Sequence, residues 1–348
     1  MFADGAQAQA GASVTAALTI EPADVEMIDG VRVFMLLFYG ASGARPVLRA
    51  TEGDQLRVVV RNNDSRPHGF SVPGVPGASI PSIGAGQTRE VIFTAPRGGT
   101  YLYLDPTLAP INRLLGLHGA LIVAPLDPTT PAGVITPFSR AAQTSEVRAV
   151  FEALGPPGRF PGRPWSPDRD RIWMFSQIDP ALHRRVDLRQ SINPASVAAT
   201  FAPRYFTLNG RSGFDAAHDE ATAPEGYIGE PMLLRVLNAG LATHSPHIHG
   251  NHVMELSGID AAGAMTVRAN LLEIDAWTMS PLDRKDVLLP FERPPDIPAA
   301  AYPMREEQFP LHYPMHCHIE MSQTAGGGLY PHGLIADWTI LGPTPPES

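Results

Sequence analysis

A single cysteine, Cys317, occurs in the 348 residues, so no internal disulfide can form and cysteine pairing says nothing about redox compartment. No stretch approaches the roughly 18 to 20 consecutive apolar residues a membrane span needs, and no membrane span is expected. Lysine hardly occurs: the basic residues are nearly all arginine, they are scattered, and the formal charge is −9. A nucleic-acid backbone demands a clustered basic stripe, so nucleic acid is not expected as a partner. Long helices are disfavoured too, because 32 glycines and 36 prolines would interrupt them. Met1 to Ala12 shows neither the charged n-region nor the apolar h-region of a signal peptide.

What is present is a succession of short β-branched or aromatic runs separated by Gly, Pro and Asn-Asp turns, which predicts an all-β protein. The length suits two domains. Residues 14–125 read as one β-sandwich, with strands around Val31 to Phe38, Gln55 to Val60 and Glu90 to Phe93. Residues 126–170, rich in Pro, Gly, Thr and Arg, read as a linker with one short helix near Ser145 to Leu154. Residues 171–343 read as a second sandwich, with strands at Ile172 to Gln177, Tyr205 to Leu208, Met232 to Leu237, His247 to Leu256, Val287 to Leu289 and Gly333 to Ile340. The last of these parallels Gly119 to Val123 at the end of the first unit and suggests an internal duplication.

Two clusters hold five of the twelve histidines and the cysteine: His244-Ser-Pro-His247-Ile-His249-Gly250 and Tyr313-Pro-Met-His316-Cys317-His318-Ile319. On a strand, residues i and i+2 share a face. His316 and His318 therefore point one way and Cys317 the other, while His247 and His249 form a second pair. Two facing pairs make a nitrogen-rich pocket suited to copper; zinc is the competitor, although its structural sites usually draw on several cysteines. Cys317 with His244 on the opposite face suggests a separate soft site.

These motifs resemble those of the multicopper oxidase superfamily, H-x-x-H-x-H-G and H-C-H. The likeness extends to Arg49 to Arg57 with Arg61-Asn-Asn63, to Phe93 to Tyr101, to Tyr205 to Gly210 and to Gly229 to Arg235. The resemblance implies two cupredoxin-like Greek-key β-sandwich domains. It also implies that His244 and Cys317 match ligands of a mononuclear type 1 copper. The second type 1 histidine of the family falls on Ser322 here, and the axial position falls in Gly326 to Gly328, so that site is incomplete. His247, His249, His316, His318 and His68 match ligands of the oxygen-reducing cluster. Arg66 replaces the partner of His68, and Leu104-Asp105-Pro106 replaces a further H-x-H; His118 is an extra ligand candidate. Glu320, Asp105 and His118 offer acid-base groups.

The expectation is thus a copper-dependent oxidoreductase using O2, with a small-molecule or metal-ion substrate and a reduced copper complement. A copper-handling protein without turnover is the alternative, and a nitrite reductase-like enzyme a third reading, although that family carries its cysteine in the first domain. The resemblance further implies a homotrimer and a periplasmic or secreted location.

Overall fold

The structure, a computed structural model, describes residues 11–294 and 307–346; most of the Met1 to Ala12 segment lies outside them. Alternating burial along the strands builds two β-sandwiches. In the first, Gln55–Asn62 presents Leu56, Val58 and Val60 inward while Arg57 and Arg61 face out, the period-2 pattern of a half-covered strand. One sheet has the order Gly43–Ala44, Arg32–Gly40, Ser13–Glu26, Gln55–Asn62, Thr88–Thr94; the other runs Leu48–Thr51, His118–Ala124, Gly99–Leu104, His68–Ser71, Ser79–Ile83.

The second sandwich repeats this plan. Ser13–Glu26 lies parallel to Gln55–Asn62, which is antiparallel to Thr88–Thr94; in the second unit Asp170–Ile178 lies parallel to Met232–Asn238, which is antiparallel to Arg284–Leu289. The opposite sheets match as well. His118–Ala124 sits between a parallel edge strand and antiparallel Gly99–Leu104, just as Ile335–Ile340 sits between Glu225–Gly226 and Leu311–Cys317. The chain is therefore all-β, with two cupredoxin-like sandwiches of matching topology. Each core is filled by large side chains; Phe38, Phe70 and Tyr103 cluster in the first, Trp173 and Trp338 in the second, each worth roughly 1.5–3 kcal/mol of burial.

Two features depart from the sequence reading. The run His247 to Leu256 is broken into Pro246–Ile248 and Val253–Ile259, because Gly250 adopts φ +80° and a Cβ there would stand 2.7 Å from the Tyr313 ring. The segment after Ile178 returns to the first unit. Its helix Pro180–Asp187, capped by Asp179, inserts Leu182 and Val186 into the first core, and His183 Nδ1 donates to Phe34 O at 2.7 Å.

The sandwiches join face to face. Leu102, Leu104, Ala120 and Ile122 pack on Met174, Leu237 and Ala239, and a polar knot lies beside them. Asp286, 2% exposed, accepts from Thr100 Oγ1 at 2.5 Å and from Ser257 Oγ at 3.0 Å. Arg235 reaches Thr100 Oγ1 at 3.1 Å and Asp170 at 2.8 Å. Removing one partner of a buried ionic network leaves an uncompensated charge. Asp286→Ala is expected to lower the unfolding free energy by about 3–5 kcal/mol in guanidinium titrations; a loss under about 1 kcal/mol would assign the joint to its apolar contacts alone.

Candidate metal centre

Pairing in antiparallel register sets the site. His247 lies opposite His316, Pro246 opposite Cys317 and Ile248 opposite Met315. The ladder extends past both ends: His318 N–H donates to Ser245 O at 2.8 Å and His249 N–H to Pro314 O at 3.0 Å. Trp338 Nε1 braces the end by donating to His249 O at 2.8 Å. Because side chains alternate, His247, His249, His316 and His318 emerge on one face, and Cys317 and the buried apolar residues Ile248 and Met315 on the other.

On the open face, ligand atoms of His247, His249 and His316 lie within 4.8 Å of one another. His249 Nε2 and His316 Nε2 are 3.1 Å apart, close to the about 3.3 Å that two nitrogens bonded tetrahedrally to one ion at ~2.0 Å would show. The His318 ring is centred 4.4 Å from that of His247 and 5.3 Å from that of His316. His247 Nδ1–H donates to Asp275 O at 3.0 Å, which leaves Nε2 as the lone-pair atom. Partial burial, followed by the neighbouring imidazoles, lowers the pKa of both His249 and His316 and favours the neutral form a metal requires. Four imidazoles without a carboxylate in the set form a donor group suited to copper.

The opposite face differs. His244 and Cys317 are fully buried, with Nδ1 and Sγ 3.6 Å apart. Gln177 Oε1 accepts from the backbone N–H groups of Leu241 and Ala242, so its amide nitrogen faces His244 and donates to Nε2. With Nε2 accepting, the neutral ring carries its proton on Nδ1, toward the sulfur. Burial holds the imidazole pKa down to about 4. Cys317 Sγ also accepts from Ser245 N–H at 3.3 Å. Ser322, at the position of the absent histidine, is buried and turns its hydroxyl to Ile319 O at 2.6 Å. The thiol is thus held in hydrogen bonds, and the His244 atom nearest it is protonated.

The first-unit candidates do not join the cluster. His68, 1% exposed, was expected as a ligand; its Nδ1 lies 2.8 Å from Asp105 Oδ2 and its Nε2 3.0 Å from Asp64 Oδ2, so neither nitrogen is left for a metal. Burial lowers its pKa, but the hydrogen bonds and charges of Asp105 and Asp64 outweigh this and raise it, making His68 an imidazolium between two carboxylates. Asp105, expected as a proton source, is buried and engaged: Oδ1 accepts from Gly69 N, Thr107 N and Thr107 Oγ1, and Oδ2 from His68 and Asn112. His118 is buried in the first unit; its Nδ1 donates to Arg113 O at 2.9 Å, and burial takes its pKa to about 3. Among the described residues it belongs to no group of three potential ligands. Glu320 is exposed at the start of the turn Glu320–Gln323, two residues beyond His318. The residues overlooked in sequence were Gln177 and Asp64; only Asp64, four positions before His68, carried a local signal.

The structure places a paired-strand imidazole face on a two-domain sandwich of cupredoxin-like fold. Sequence similarity agrees: the chain is 33% identical over 138 residues to the multicopper oxidase MmcO of Mycobacterium tuberculosis, covering 37% of this chain and 26% of that protein. It is 24% identical over 244 residues to a copper-containing nitrite reductase of Pseudomonas chlororaphis, covering 68% and 60%. The chain therefore spans between a quarter and three fifths of these relatives. No family model matches. Among solved structures, the blue copper oxidase of Nitrosomonas europaea superposes with a TM-score of 0.67 at 19% identity, over 94% of this chain and 86% of that one. The chain resembles the multicopper oxidase superfamily in sequence and has its two-domain cupredoxin fold; these relatives imply copper as the cofactor.

The sign of the His68 shift gives a test. Its folded pKa is raised, so its contribution to stability is complete below the unfolded value near 6.5 and is lost as pH rises through the folded pKa. His68→Asn should destabilise by about 1–3 kcal/mol at pH 6, by leaving two buried carboxylates short of a donor, and by less at pH 9. Equal losses at both pH values, from urea titrations, would show that the ring is not held as an imidazolium.

Proposed function

We propose that the protein is a copper-dependent oxidoreductase using O2, with copper held by His247, His249, His316 and His318 and without a complete type 1 site. The observation that carries this reading is the surface cluster of imidazoles, three of them with ligand atoms within 4.8 Å, on a fold whose relatives are copper enzymes. Copper there would supply one-electron chemistry. The chain's own part is to hold the imidazoles together, to fix His247 through Asp275, and to offer Glu320, two residues beyond His318, as an acid-base group. The absence of a complete type 1 centre rests on Ser322, which stands at the position of the second histidine and turns its hydroxyl to Ile319 O. A small molecule or metal ion is the electron donor in this reading.

We further propose a homotrimer in the periplasm or outside the cell. The cluster opens outward, and the chain just beyond it exposes Ile319, Met321, Leu329 and Tyr330, apolar side chains suited to burial against a neighbouring copy. A heterologous contact between the first unit of one chain and the second unit of the next closes into a ring at three copies. No helix among the described residues is long and apolar enough to cross a membrane. Copper handling without turnover is the second reading, favoured by the sealed Cys317, which leaves no evident route for electron entry.

Reconstituted protein should take up copper without an intense blue absorption band. His249→Ala or His316→Ala should lower copper binding by at least tenfold, whereas Cys317→Ser should leave most of it, as read by metal analysis and paramagnetic resonance; equal loss in the Cys317 variant would reverse the assignment. Oxygen uptake with a phenolic donor distinguishes oxidase from copper handling. Light scattering tests assembly, and a mass of one chain, 37.4 kDa, would contradict the trimer.

A further inference from the structure

A sizeable cleft lies away from the histidine face. It encloses about 830 Å³ where the two sandwiches meet, within the range of small-molecule sites, and arginines dominate its polar wall. Arg45, Arg49, Arg171 and Arg211 line it, against Asp170, Asp219 and Glu220. Two of these carboxylates are already engaged: Asp170 pairs with Arg235 at 2.8 Å and Arg49 at 3.8 Å, and Asp219 with Arg211 at 3.2 Å. Arg171 spends its donors on the backbone carbonyls of Asp170 and Ala223.

Arg45 has no such partner. Its Nε is sealed from solvent without a hydrogen bond, its Nη2 meets only the Met35 sulfur at 3.8 Å, and among the described residues no carboxylate lies within ion-pair distance. The backbone is shaped around it. Arg45 itself holds φ +52°, uncommon outside glycine, and a Cβ on Gly210 would stand 2.1 Å from Arg45 Nη1. An uncompensated guanidinium is costly to desolvate, and one that lines a cleft without a carboxylate partner can be neutralised by an oxyanion reaching its terminal Nη hydrogens. Beside it, Val47, Ile172 and Met174 give the same cleft an apolar wall.

We propose that this cleft binds a small organic anion, its carboxylate or phosphate head on Arg45 and its apolar body on Val47, Ile172 and Met174. Nothing in this site draws on the histidine cluster, so it stands or falls independently of the copper chemistry.

Calorimetric titration of the purified full-length protein at low ionic strength tests the proposal, with benzoate and inorganic phosphate as probes and chloride of equal ionic strength as the control. Saturable binding of one or both probes is expected, at one site per chain. Benzoate binding more tightly supports a carboxylate with an apolar body; phosphate binding more tightly supports a phosphate head. Arg45→Met, which keeps the length and removes the charge, should weaken binding at least tenfold, while Arg61→Met on the outer face of the first sandwich should leave it unchanged. Should Arg45→Met not fold, Arg45→Lys serves: a point charge without the terminal Nη hydrogens should lose at least fivefold. Absence of saturable binding of both probes, or equal binding in the Arg45 variants, overturns the proposal.

Discussion

The antiparallel pairing of Pro246–Ile248 with Leu311–Cys317 is the constraint on which the rest depends. Once His247 stands opposite His316, the period of the strand allows only one distribution of side chains. Four imidazoles go to solvent, and the sulfur goes into the core. A slip of one residue would invert both faces at once, burying the imidazoles and exposing Cys317. Gly250 protects the register, because it lets the chain turn away over the Tyr313 ring after His249.

The internal repeat shows what the same scaffold does with different residues. In the first unit the strand His68–Ser71 takes the place that Pro246–Ile248 holds in the second. There a carboxylate–imidazolium–carboxylate group replaces a group of imidazoles. Mutual neutralisation turns a ligand position into a structural one, and a buried charge becomes tolerable because Asp64 and Asp105 flank it on both ring nitrogens. Asp64 itself is held below the ordinary carboxylate range: burial would raise it, but the hydrogen bonds from His68 and Arg66 prevail.

Where function follows from alternation along one strand, the sequence was readable. His-x-His spacing placed the four surface imidazoles together and Cys317 apart from them, and short strands with glycine and proline turns indicated the all-β class. Where function depends on partners brought from elsewhere, it was not. Nothing near His68 indicates that Asp105, 37 residues on, closes over its second nitrogen. Gln177 sets the tautomer of His244 from 67 residues away, and its orientation depends on a turn at Leu241 and Ala242. The segment around Leu182 and Val186 carries apolar residues that fit either core, and only the capped helix at Asp179 directs them to the first.

The sealed thiol also determines how the protein would age. An oxidant in solvent has no direct path to Cys317, which is 0% exposed. The Met321 thioether, four residues along the chain, lies 60% exposed and is open to it. Damage would therefore accumulate as methionine sulfoxide, a lesion that reductases reverse, and the core sulfur would be spared the sulfinic and sulfonic states that are largely permanent.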